Sequence, residues 1–362
     1  MQPIPFTNLH QQYLDCQSEI DQAIATTIKK SSFITGPDVT EFEKMFSDYV
    51  GAEDCASTSS CTTGLLCSMR ALKIGIGDEV ITTPHTFVAT TEAIVSVGAT
   101  PVFVDIDAHT HQIDLNLVEQ AITSRTKAVL FVDIYGQCPD IDRLRSLCDK
   151  HNLYMVEDAA HSLGNTWHGK PVGSLSDITC FSFNPVKNLG AMGDAGCVTG
   201  SPEFMDRIRM YRDHGRIGRY DIVELGYNAR IDNMQSNIVM AKLPKLQNWI
   251  ERKRKICAYY DSMLKDFVTT IPVVPGNSHS YYVYVIQTDQ RDNLKEHLNK
   301  KGVQTNIHYA TTTNLQPAFS NWYSPCPVAE KTVKEIISLP SWYSLSDAQI
   351  DHVIDSVRSY FS

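Results

Sequence analysis

The stretch Ile178–Gly200 (ITCFSFNPVKNLGAMGDAGCVTG) places Lys187 just after an apolar run ending near Phe183, with Gly190, Gly193 and Gly196 following it. Glycines at that density let the backbone approach a ligand closely or adopt positive φ. A lysine at the C-terminal edge of a parallel sheet lies where α/β proteins hold their ligands. Partial desolvation there lowers its pKa and suits it to act as a Schiff-base nucleophile. Taken alone, the segment also reads as a glycine-rich surface turn with a solvated lysine.

Three further segments bear on that choice. Leu153–Gly164 (LYMVEDAAHSLG) delivers Asp158 at the end of an apolar run, with His161 three residues on. Phe87 lies in PHTFVAT, and Ala56–Gly64 (ASTSSCTTG) runs hydroxyl side chains into an apolar-periodic helix. Hydroxyls and free N–H groups at a helix start form an anion site. Each segment has a plainer reading: Asp158 as an N-cap, Phe87 as core, the serines and threonines as caps. Together they meet the four needs of pyridoxal 5'-phosphate (PLP): a lysine, an anion for the pyridine nitrogen, flat groups for the ring faces and a phosphate cup.

The elements that would position these residues alternate along the chain. Glu79–Thr82, Pro101–Ile106, Ala128–Asp133, Leu153–Glu157 and Ile178–Phe183 read as short buried strands. Val39–Val50, Thr62–Leu72 and Thr86–Val97 read as helices between them. Such alternation predicts an α/β fold with a mostly parallel sheet. A helical stretch follows from Asn233 to Phe267, with Pro244 expected to kink or interrupt it. Tyr281–Thr288 then reads as a strand, Asp292–Lys301 as a helix and Val303–His308 as another strand. This divides the chain into a large domain over 1–245 and a smaller α+β domain over 246–362.

Composition bounds the rest. A chain of 362 residues is long enough for two domains, and its 43% hydrophobic and 20% charged residues are those of a globular protein. The net charge of −9 argues against nucleic acid as a partner. No apolar stretch approaches the roughly 20 residues of a membrane span, and Met1–His10 lacks the features of a secretory signal. Ten cysteines with no Cys-x-x-Cys pair suit reduced thiols in the cytoplasm. His109 and His111 have metal-like spacing but read as a solvated loop, so no metal is expected. The run ERKRK (Glu251–Lys255) reads as a solvated helix face, and Arg230 as an anion contact or an ion pair near Asp232. No dinucleotide fingerprint or P-loop is present.

With these residues in place, the sequence resembles the DegT/DnrJ/EryC1/StrS family of PLP-dependent sugar aminotransferases. The resemblance runs through FITGPDVTEFEKMFSDYVG (Phe33–Gly51), GIGDEVITTPHTFVATTEAI (Gly75–Ile94), GATPVFVDID (Gly98–Asp107), EDAAH, SFNPVKNLGAMGDAG and LGYNARIDNMQ (Leu225–Gln235). It ends in IHY…LQPAF and SLP (Ser338–Pro340). It implies fold type I, with a mixed, mostly parallel sheet in the large domain, and a homodimer with shared active sites. Lys187 would carry the cofactor and then move the proton, and Asp158 would pair with the pyridine nitrogen. His161 and Phe87 would flank the ring, and Thr62, Thr63 and Ser182 would hold the phosphate. Asn228 would reach the cofactor phosphate of the other subunit, while Asn184, His308 and Tyr309 would meet the acceptor.

The reaction implied is transfer of an amine, usually from L-glutamate, to a keto-sugar. The wording KNLGAMGD looks like that of members acting on 3-keto sugars, and the acceptor expected is a nucleotide-linked 3-keto-6-deoxy sugar, made for a surface polysaccharide such as lipopolysaccharide or for another glycoconjugate. Several positions depart from the family pattern: Asn184, Asp133 in VDIYG, Ala310 and Asn314 in IHYATTTNLQP, RYDI at Arg219–Ile222, and Cys61. They leave open a keto-sugar acid without a nucleotide, or a catalytically silent PLP-binding regulatory homologue. Cys61 is expected beside the phosphate cup, where its modification would disturb cofactor binding.

Overall fold

The structure, a computed structural model, describes residues 2–362. Seven strands form one sheet: β1 (Asp54–Thr58), β2 (Glu79–Thr82), β3 (Thr100–Phe103), β4 (Thr126–Val132), β5 (Tyr154–Asp158), β6 (Ile178–Ser182) and β7 (Gly196–Gly200). Their spatial order is β1-β7-β6-β5-β4-β2-β3. Neighbours from β6 to β3 run parallel, and β7 runs antiparallel to both β1 and β6. The strand TKAVLFV is buried over nearly its whole length, as expected of a parallel strand with both faces covered. The strands β1 and β7 were not anticipated in sequence. Residues 196–200 belong to a glycine-rich stretch that reads as a turn, yet they pair on both edges.

Helix boundaries follow local chemistry. Pro37–Val50 starts on a proline and ends at Gly51, whose φ of 67° is a left-handed cap. It buries Val39, Phe42, Phe46 and Val50 along one side. Phe42 and Phe46 meet Phe181 and Phe183 edge-on, with ring centroids 5.1 to 5.7 Å apart. The strand that leads to the Lys187 loop is thus anchored by aromatic packing.

Pro244 interrupts the long helical stretch as expected. Asn233–Lys242 is followed by a 3-10 turn at Leu243–Lys245 and then by Leu246–Leu264. That last helix joins two cores. Leu246, Trp249 and Ile250 pack with the first core, while Ile256, Cys257, Tyr260 and Leu264 pack with a second. The second core covers an antiparallel sheet of Thr269–Thr270, Tyr284–Gln287 and Ile336–Leu339. Ile4 also lies in this core, so the N-terminal segment packs on the C-terminal part.

The strand expected over Val303–His308 does not form. Val303 bridges to Ile4 and Asn306 to Ser338, so the run is divided between two partners and builds no continuous ladder.

Candidate active site

The C-terminal ends of β4, β5 and β6 open on one edge of the sheet, and there lies a cavity of about 550 Å³. Asp158 ends β5 and Ser182 ends β6, and Lys187 sits in the turn after β6, its N–H bonded to the Asn184 carbonyl. Asp158, Ser182, Lys187, Thr62, Phe87, His161, Asn184, His308 and Tyr309 all line this cavity. The glycines after Lys187 serve close approach rather than positive φ. A Cβ on Gly190 would meet the Pro185 carbonyl oxygen at 2.4 Å, and one on Gly196 would meet the Cys61 nitrogen at 2.6 Å.

Lys187 Nζ lies 4.2 Å from the centre of the Tyr282 ring. Desolvation lowers its pKa to about 8, against the opposing pull of the Asp158 charge. Asp158 is buried. Its Oδ2 accepts from Thr90 Oγ1 at 2.7 Å and its Oδ1 from the Ala160 N–H at 3.2 Å. Burial raises its pKa, and these donors and Lys187 work in the opposite direction.

His161 is held in one tautomer. Its Nδ1 accepts the Tyr135 N–H at 3.3 Å, which leaves Nε2 to carry the proton toward the Tyr309 hydroxyl at 3.1 Å. The ring is tilted 31° on Tyr282 with centroids 4.2 Å apart. Burial, then Lys187 and His308, hold its pKa well below the usual histidine value, so it faces the cavity as a neutral flat group. Phe87 is not core: it is 55% exposed at the mouth, 5.8 Å from the Tyr309 ring.

The helix Cys61–Ala71 starts at the cavity wall. Its N-cap, Ser60, accepts from the Thr63 N–H at 3.2 Å, and Thr63 Oγ1 accepts the Ser60 N–H at 3.1 Å. Thr63 therefore closes the cap and does not line the cavity, while Ser60, Cys61 and Thr62 do. The first-turn amides of Cys61 and Thr62 have no intrahelical acceptor. With Ser182 they make a cradle suited to a phosphate. Together with Asp158 and Lys187, this set fits PLP on the polarity and placement of its own groups.

Cys61 lies deeper than the phosphate cradle alone would require. Its Sγ is 3.8 Å from Asp158 Oδ1, and burial beside that carboxylate pushes its pKa well up. Asn184 donates to Asp194 Oδ1 at 3.1 Å. His308 Nδ1 lies 2.9 Å from the Ser338 hydroxyl.

Asn228 is not brought to Lys187 within one chain. It lines a separate cleft with Ser59, Asp194 and Arg230. Arg230 pairs with Asp213 at 2.9 Å rather than with Asp232. His111 is buried rather than solvated, 3.3 Å from the Tyr135 hydroxyl and 3.2 Å from Gln287. No cluster of metal-ligating side chains occurs among the described residues. The ERKRK run is not a wholly solvated face either: Lys253 is buried and Arg254 donates to the His279 and Gly164 carbonyls.

Two departures from the family pattern turn away from the cavity. The Asn314 amide donates to the Ser324 carbonyl at 2.8 Å and to Glu330 at 3.0 Å. Asp133 is buried and accepts from Ser162 Oγ at 2.5 Å. Tyr135, Thr90 and Tyr282 were missed in sequence. Thr90 had a signal, a hydroxyl one turn from Phe87 on a helix facing the same edge. Tyr282 had none, because it comes from a distant segment just before the strand Tyr284–Gln287.

A family model of the DegT/DnrJ/EryC1/StrS aminotransferase family matches residues 15–358. The UDP-2-acetamido-2-deoxy-3-oxo-D-glucuronate aminotransferase of Pseudomonas aeruginosa is 38% identical over 349 residues, 96% of this chain and 97% of its own. The crystal structure of S. venezuelae DesV in complex with a ketimine intermediate has a TM-score of 0.98 at 36% identity, covering 100% of this chain and 99% of that one. NtdA from Bacillus subtilis with bound cofactor PMP has a TM-score of 0.93 at 26% identity, covering 100% and 86%.

Proposed function

Because the chain belongs to the DegT/DnrJ/EryC1/StrS aminotransferase family, we propose that it moves an amino group from L-glutamate to a nucleotide-linked 3-keto-6-deoxy sugar. The chain is a PLP-dependent aminotransferase acting on keto-sugars; glutamate as donor and the 3-keto position are our reading. The 3-oxo substrate in the name of the Pseudomonas aeruginosa relative supports the position aminated. We further read the product as one used for surface polysaccharide or another glycoconjugate.

One observation carries the mechanism: Lys187 and Asp158 face one cavity whose rim is the start of a capped helix. Bound there, PLP supplies an electron sink for the carbon that carries the amine. Asp158 would hold the pyridine nitrogen protonated, and Thr90 and the Ala160 N–H keep its carboxylate aimed. Thr62, Ser182 and the first-turn amides would bind the phosphate, with Thr63 holding the cap that presents them. Neutral His161 and Phe87 would bound the ring. A Lys187 Nζ whose pKa is about 8 can take a proton from the substrate carbon and return it near neutral pH. Asn184, His308 and Tyr309 would meet the acceptor.

We read the assembly as a cytoplasmic homodimer in which Asn228 serves the partner subunit's site. The exposed apolar residues Ile217, Tyr220, Ile222 and Leu225, close to Asn228 in sequence, support an interface. All ten cysteines are free, in keeping with a reducing compartment. Among the described residues, no helix is long and apolar enough to cross a membrane. We keep the division into units over 1–245 and 246–362, joined by the helix Leu246–Leu264. The retained lysine and aspartate weigh against a silent homologue. Because Asn314 and Asp133 point away from the cavity, a nucleotide-free keto-sugar acid has no structural support from those departures.

The test is direct. Borohydride treatment of the PLP-loaded enzyme should fix the cofactor on Lys187, read by peptide mass. L-Glutamate with UDP- or dTDP-linked 3-keto sugars should yield 2-oxoglutarate and an amino sugar. Failure to release 2-oxoglutarate with any of them would overturn this reading.

A further inference from the structure

Lys187 borders a second cavity, of about 220 Å³, which shares Tyr282 and His308 with the first. Its other walls are the N-terminal segment around Thr7 and Gln12, the helix Leu246–Leu264 and the Trp342 loop. No aspartate or glutamate lines it, in a chain whose net charge is −9. Lys253 does line it, and is 9% exposed. Its Nζ donates to Asn188 Oδ1 at 2.8 Å and to the Tyr282 carbonyl at 3.1 Å. An ammonium has three donors, so one N–H remains unused beside the cavity. A buried cation without an anion is costly, and its attraction for one is strong in such surroundings. Gln12 Oε1, on the N-terminal wall of the same cavity, is buried with no hydrogen-bond partner. An unused donor and an unused acceptor facing one space suit a small acid and a bridging water. A water takes about 30 Å³ of liquid, so the space admits an acid of a few carbons.

We propose that this second cavity binds a small carboxylate, with Lys253 as the cationic anchor and Asn188 as the residue that positions its ammonium. Given the aminotransferase reading, the acid is either the amino donor with its 2-oxo product, or a free dicarboxylate that competes with them. Only that identification rests on the proposed function; the site itself does not.

The probe is glutarate, which has neither an amine nor a keto group and cannot turn over. Binding to the PLP-loaded enzyme is followed by calorimetry and by the fluorescence of Trp249 and Trp342, which line the cavity. Lys253→Met is expected to weaken glutarate at least tenfold. Thr7→Trp, at an exposed position on the rim, is expected to do the same by filling the space without disturbing the core. Both variants should keep full cofactor content.

A raised L-glutamate requirement in single turnover with either variant assigns the cavity to the donor. An unchanged requirement with glutarate binding lost assigns it to a free acid. Glutarate binding unaltered in both folded variants would overturn the site. Because the probe needs no turnover, failure to aminate any keto-sugar would strike the proposed function and leave this inference standing.

Discussion

Lys187 owes its reactivity to burial, and burial predicts a pH profile. With a pKa of about 8, the neutral amine that attacks an aldehyde becomes the main form above that pH. The rate at which apoprotein takes up PLP should therefore rise from neutral pH with a midpoint near 8 and level off above it; a midpoint at the ordinary 10.5 would mean that desolvation is not acting. Asp158→Asn keeps the shape and removes the charge, and should lower single-turnover amination by roughly a hundredfold or more with cofactor still bound. Cys61 is expected to resist the modification that would disturb cofactor binding. Its pKa is pushed up by burial beside Asp158, so the thiolate is scarce. Iodoacetamide near neutral pH should leave it unmodified in the folded protein, as peptide mass will show.

At the scale of elements, β4 and β5 place two carboxyl groups together beneath the site. Asp133 and Glu157 are fully buried, each keeps one oxygen without a partner, and burial raises both pKa values. A proton shared between them satisfies both oxygens. Folded-state pKa values above the unfolded ones mean that the native state holds a proton the unfolded chain releases. Stability therefore falls as pH rises through the ordinary carboxyl range toward the raised values. Asp133→Asn can donate to Glu157 without that proton, so its loss of stability with pH should be flatter and its stability near neutral pH within about 1 kcal/mol of the parent or above it. Denaturant melts at two pH values would decide this.

The helix start is the second element-scale expectation. Ser60→Ala opens the capping box, and should cost about 1 kcal/mol and weaken PLP retention through the Cys61 and Thr62 amides. This helix and the parallel strands were legible in sequence because their apolar periods are local. The strand β7 was not, since its pairing with β1 and β6 is made by residues distant in the chain. Val303–His308 had a strand's composition and lost the strand to two competing partners.

For the whole molecule, the decisive question is the proposed second subunit. Tyr220 and Leu225 are 78% and 82% exposed, large apolar groups on one loop. Replacing both with aspartate should yield a monomer by sedimentation that retains its fold by circular dichroism and loses PLP. A double variant that stays dimeric would remove this loop from the interface.

What the sequence determined by itself was chemical type and local order: a lysine after a strand, an aspartate at a strand end, hydroxyls at a helix start. Backbone periodicity and capping preferences are properties of neighbouring residues, so they can be read along the chain. What only the tertiary structure decided was which side chains meet. Tyr282 reaches the lysine, and Lys253 reaches the Tyr282 carbonyl, from parts of the chain beyond the first sheet. Tyr135 sets the His161 tautomer through a backbone N–H. Those contacts join segments far apart in the chain, and no local pattern encodes them.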